Sequence, residues 1–79
     1  MNKTYNGHRN WNHWNVSLWL NNDEWLHAMM LQFIRRGPTR ETAAQRLLGA
    51  LREFNQTHTP DGAPYSKTTI LAAMRGWEA

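Results

Sequence analysis

Seventy-nine residues, no cysteine and a net charge of +3 describe one domain held by apolar packing, too short for two cores and without disulfide or thiolate–metal staples. Five tryptophans, four methionines, two phenylalanines and two tyrosines supply the buried area in a chain that hides only ~60% of its unfolded surface. Mild basicity permits contact with nucleic acid or an acidic protein surface without demanding either, and the longest apolar run, AMMLQFI, is too short to cross a bilayer.

The opening MNKTYNGHRN is polar, contains Gly7 and carries no apolar run, so it reads as an irregular arm over residues 1–10, with no secretory signal expected. Periodic apolar residues begin at Trp11. At about 100° per residue, Trp11, Trp14 and Leu18 share one side of a helix over 11–20, while Val16, Trp19 and Leu20 continue round the other. A short helix apolar on more than one face predicts a central element wrapped by the rest, with Trp14 and Trp19 as core.

Asn21-Asn22-Asp23-Glu24 interrupts the run. Asn21 and Glu24 have capping-box spacing, and the acidic pair complements the positive end of a helix over about 23–36. Trp25, Leu26, Met29, Met30, Phe33 and Ile34 form its broad apolar face, with Leu31 pointing away. Arg35 and Arg36 suit the last turn, and Gly37-Pro38 ends it. Thr39 caps a third helix over 40–55, whose predicted buried face is Ala43, Ala44, Leu47, Leu48, Leu51 and Phe54. QTHTPDGAPY, residues 56–65, is a loop with a Pro-Asp-Gly turn signal. Ser66 caps a last helix over 67–77 that presents Ile70, Ala73, Met74 and Trp77. The expected fold class is all-α: a compact bundle of about four helices.

Catalytic chemistry is hard to assemble from these residues. His8, His13, His27 and His58 form no i,i+4 pair, and no HExxH pattern occurs. Asp23 and His27 have helical spacing for a surface ion pair, but two ligands do not close a zinc site. The glycines form no phosphate-cradling loop, and Ser17 and Ser66 read as a packing residue and a cap. No enzyme, metal or cofactor is expected.

Binding is the better reading. Arg35, Arg36 and Arg40 gather at one helix–turn–helix corner. Arg46 and Arg52 lie about 120° apart on the third helix, mixed with glutamates, which is a poor match for a DNA-reading face. A solvated helix end explains the arginine corner simply; phosphate contact is the sharper alternative. Trp11, Trp25 and Trp77 fall near segment ends, where full burial is hard, and exposed tryptophan with arginine is the composition of interface hot spots. The candidate partner-binding residues are Arg35, Arg36, Arg40, Trp11, Leu31 and Trp77. A homodimer would use them as readily as a foreign partner.

The run Asn10-Trp11-Asn12-His13-Trp14-Asn15-Val16-Ser17-Leu18-Trp19-Leu20-Asn21-Asn22-Asp23-Glu24 resembles the core signature of a family of small phage-encoded proteins of uncharacterised function. Tyr5-Asn6-Gly7 fits the Tyr-x-Gly segment that precedes it there, His13 stands where threonine is usual, and Thr59–Ser66 also looks familial. The roles legible in the motif are structural: Trp14, Val16, Leu18, Trp19 and Leu20 as core, Asn10 or Asn12 as cap, and Asn15, Asn21 and Asn22 tying backbone at the helix junction. Tyr65 is expected to anchor the loop before Ser66. The resemblance implies a phage protein acting in the cytoplasm of a bacterial host. In size and style the chain is similar to anti-CRISPR inhibitors of type I effector complexes (Cascade). A basic chain cannot mimic DNA globally, so such an inhibitor would dock on a subunit and obstruct target DNA. The other expectations are a nucleic-acid-binding phage regulator and a homodimeric accessory protein.

Overall fold

The computed structural model describes residues 10–75 and 77. Four helices follow in order: α1 (Trp11–Asn22), α2 (Glu24–Arg36), α3 (Arg40–Glu53) and α4 (Lys67–Met74). Each packs on two others, α1 on α2 and α4, and α3 on α2 and α4, so the bundle closes as a ring. No strand occurs among the described residues beyond one isolated bridge, His58 to Pro64. The all-α bundle is the expected fold. Of the expected irregular arm over residues 1–10, only Asn10 lies within the described residues.

The core follows the helical spacing of the sequence. Leu26 and Met30 on α2 face Ala43, Ala44, Leu47 and Leu51 on α3, and Val16 and Leu20 on α1 meet Ile70, Ala73 and Met74 on α4. Ala63 and Tyr65 of the 56–65 loop close the cluster. Burying each Leu, Ile or Met contributes about 1.5–3 kcal/mol, the principal stabilising term in a chain without cross-links. The radius of gyration, 11.8 Å, is close to the about 11.6 Å of an ordinary folded chain of this length.

Side-chain caps set the boundaries. Asn10 accepts from His13 N at the start of α1, Thr39 from Thr42 N at α3, and Ser66 from Thr69 N at α4, with Thr69 completing a capping box. The α1–α2 junction differs from the expected Asn21–Glu24 box. Asn21 Nδ2 donates to Ser17 Oγ and Asn22 Nδ2 to the Leu18 carbonyl, so both amides lie along α1 and extend it to residue 22. Asp23 remains as the single joint: its amide closes α1 on the Trp19 carbonyl, and its carboxylate accepts from Leu26 N to open α2. The His27 ring is directed back to α1, its Nδ1 3.2 Å from the Leu20 carbonyl.

Helix α3 ends at Glu53, two residues before the expected end. Asn55 adopts a left-handed φ of 58°, its amide bonds to the Arg52 carbonyl and that of Gln56 to Leu51, the Schellman pattern with asparagine in the glycine position. Phe54 is the cap of α3, its amide still bonded to the Ala50 carbonyl, and it stands exposed beside Trp25 where burial was expected. Gly37 sits where chain segments crowd: a Cβ there would lie 3.1 Å from the Phe33 and Thr39 carbonyls and 3.2 Å from Ala43 Cβ. α4 ends at Met74, and Arg75 is extended, so Trp77 lies beyond the helix instead of on its last turn.

Candidate functional site

Helix α1 buries polar residues beside its apolar ones and leaves large apolar ones outside. Asn15 and Ser17 are buried, whereas Trp11 and Leu18 are each 37% exposed. Expectation placed Leu18 in the core and α1 at the centre of the bundle; α1 instead packs on two neighbours and keeps an apolar outer face. Trp14 and Trp19 are half-buried, Trp19 against the core.

The buried amide has a specific job. Asn15 Nδ2 donates to Asp61 Oδ2 at 2.8 Å, and Asn15 Oδ1 accepts from the buried Thr59 hydroxyl. Thr59 Oγ1 in turn accepts from Ala63 N, and Trp19 Nε1 donates to Asp61 Oδ2 at 2.9 Å. This network locks the Pro-Asp-Gly turn onto α1. The two donors hold the Asp61 carboxyl below its ordinary pKa, outweighing its slight desolvation. Nearby, burial raises the Tyr65 hydroxyl, and the negative charge of Asp23 adds to the shift. Tyr65 anchors the loop as expected, buried and with its amide bonded to Thr57 O. The expected role of Asn15, tying backbone at the helix junction, gives way to this side-chain clamp.

Beside the clamp, Leu18, Trp19, Asn22, Asp23 and Glu24 line an open cleft of about 450 Å³. A second hollow, about 280 Å³, lies between Trp25, Ala28, Met29, Gln32 and Phe54. Trp25 and Phe54 are 52% and 58% exposed and meet edge to face, centroids 5.7 Å apart. Such a pair packs on itself yet leaves most of both rings to solvent.

The anticipated binding residues are distributed as follows. Arg35 and Arg36 are exposed in the last turn of α2, and Arg40 is exposed at the first position of α3. The Arg40 guanidinium donates to the Trp77 carbonyl, and the Trp77 ring stacks edge to face on His27 at 4.7 Å. Trp77 is thereby fastened across α2 and α3, with 37% of it still exposed. Leu31 is half-buried and lies one turn before Arg35 on α2, on the same helical side. Trp11 begins α1, away in sequence from the corner. Sequence reasoning missed the Asn15–Asp61–Trp19 clamp and the Trp25–Phe54 pair. The Pro-Asp-Gly turn and the asparagine-rich α1 were the available signals, but nothing in either names the other.

Among the described residues, no group of three or more histidine, aspartate or glutamate side chains could hold a metal ion, and no helix is long and apolar enough to cross a membrane. Fold and surface together define a small all-helical protein with exposed aromatic residues, an arginine corner and one apolar–acidic cleft. The sequence pattern of DUF7249, a family of unknown function, matches residues 1–76, and the chain belongs to that family. No curated protein and no solved structure matches it.

Proposed function

We propose that this protein acts by binding another macromolecule and not by catalysis. The observation that carries the reading is the surface composition. Trp11, Trp25, Phe54 and Trp77 are exposed in a chain whose stability depends on burying such rings, and exposed Arg35, Arg36 and Arg40 accompany them. Aromatic and arginine side chains are the ones that dominate interface energetics when desolvated by a partner.

Within that class we favour a phage-encoded inhibitor, an anti-CRISPR protein that docks on a subunit of a type I effector complex in the bacterial cytoplasm and obstructs target DNA. This finer reading rests on the tryptophan–asparagine motif of α1 and its resemblance to small phage proteins. Arg35, Arg36 and Arg40 supply polar contacts, and Trp11, Leu31 and Trp77 apolar ones. The arginine corner also suits phosphate contact, which favours a nucleic-acid-binding regulator as the second reading.

A pull-down of the tagged protein from a lysate containing a type I CRISPR system, with and without nuclease, separates the two. Nuclease-resistant recovery of an effector subunit, lost on Arg36→Glu, is the expected result. Recovery of nucleic acid alone, abolished by nuclease or high salt, would overturn the inhibitor reading in favour of the regulator. Elution as a stable dimer with neither partner would point to a homodimeric accessory role.

A further inference from the structure

The chain is basic, yet its few acidic residues are not spread evenly. Of the six in the sequence, Asp23 and Glu24 line the cleft of about 450 Å³ beside Leu18, Trp19 and Asn22. A third, Asp61, stands on the indole N–H edge of Trp19, 2.9 Å from Nε1. Two of the six acidic side chains of a chain with net charge +3 therefore line one hollow, and a third is bonded to the ring that forms its wall. The arginines Arg35 and Arg36 occupy the opposite end of α2, thirteen residues or about 20 Å along the helix.

The walls suit a cation with a flat or apolar body. Leu18 and Trp19 are apolar surfaces, and Trp19 is fixed in place by its bond to Asp61, so its ring loses little freedom on binding. Donation from the indole N–H to a carboxylate also enriches the ring in electron density, which strengthens attraction for a cation over its face. Glu24 is exposed at the first position of α2 and available as an acceptor at the rim.

We infer that this cleft is a docking point for an arginine side chain presented by a partner protein, with the guanidinium stacked on Trp19 and paired to Glu24. Arginine fits better than lysine because its planar fork both stacks on an indole and pairs with a carboxylate. The inference does not depend on the inhibitor reading: it names the chemistry of one contact at the far end of α2 from the arginine corner, whatever the partner.

The test is an NMR titration of the intact protein with the probe N-acetyl-Ala-Arg-Ala-amide, following the tryptophan indole and backbone amide resonances. The expected result is saturable shifts at the Trp19 indole and at Leu18, Asn22 and Glu24, absent with the uncharged citrulline analogue. Glu24→Gln, at an exposed helix start where the spectrum should keep its dispersion, is expected to weaken binding about fivefold, the loss of one charge-assisted contact. Shifts spread over the surface, equal shifts with citrulline, or undiminished binding by Glu24→Gln would each overturn the assignment. So would movement of the same resonances with protein concentration alone, which would put the arginines of a second copy in the cleft.

Discussion

Replacing Asn15 with leucine tests the clamp that joins α1 to the 56–65 loop. Leucine is similar in size and apolar, so the change leaves no cavity and isolates the polar contribution. Two bonds vanish, to Asp61 Oδ2 and from Thr59 Oγ1. Asp61 is exposed and regains water, so that loss costs little. Thr59 as a residue is 4% exposed. Its hydroxyl keeps the bond it accepts from Ala63 N but loses its acceptor; a buried donor left without a partner costs about 1–3 kcal/mol, and the added apolar burial returns only part of it, leaving a net loss near 2 kcal/mol. A chain of this length holds roughly 4–12 kcal/mol of stability in total, so the change is a large fraction of it. Thermal unfolding followed by far-ultraviolet circular dichroism should show Tm falling by about 8–16 °C. A Tm within about 3 °C of the parent would mean that the network contributes nothing net and that the argument from burial is mistaken.

Two further outcomes follow from the same region. The folded pKa of Asp61 lies below its ordinary 3.8, so the unfolded chain takes up that proton first. The contribution of the clamp is complete above the ordinary carboxylate range and disappears as pH falls through the lower folded value. Urea midpoints of the parent and of Asp61→Asn should therefore converge as pH is lowered from 6 to 3 (roughly, the carboxylate window); parallel curves would contradict this. Gly62 has φ of 100° with open space where a Cβ would stand, so Gly62→Ala should cost about 1 kcal/mol from backbone conformation alone. A chemical denaturation midpoint unchanged by that substitution would show that the turn relaxes freely.

The helices were legible because their apolar spacing is strong: Leu26 and Met30, or Ala43, Leu47 and Leu51, repeat at intervals that only a helix places on one face. The caps at Asn10, Thr39 and Ser66 were legible too, since each stands immediately before a periodic segment. At Asn21-Asn22-Asp23 three residues of nearly equal capping propensity compete, and the choice falls to bonds that Asn21 and Asn22 find within α1. Phe54 fits the apolar spacing of α3, but it is the cap of that helix and stands exposed beside Trp25. The clamp was invisible for a different reason. Asn15 reads as an amide that ties backbone at the helix junction, whereas its buried side chain has its hydrogen bonds completed by Thr59 and Asp61, more than forty positions away. Among the anticipated contacts, exposure of Arg35, Arg36 and Arg40 followed from their positions at helix ends, whereas the fastening of Arg40 to the Trp77 carbonyl depends on a tertiary path no local pattern encodes.

The bond between Asn15 and Asp61 spans 46 positions, which gives it a place in time as well as in space. It cannot form until α2, α3 and the turn after them have brought the loop back to α1, so loop-closure entropy makes it a late event in folding. By the same logic it is a candidate first event in opening: release of Asp61 frees the 56–65 loop while the helix contacts persist, and the Trp19 indole proton exchanges with solvent sooner than the amides of Leu47 or Met74. The rigidity of the tryptophan wall beside the cleft is then only as durable as that latch, and whatever occupies the cleft would lengthen the life of the closed loop.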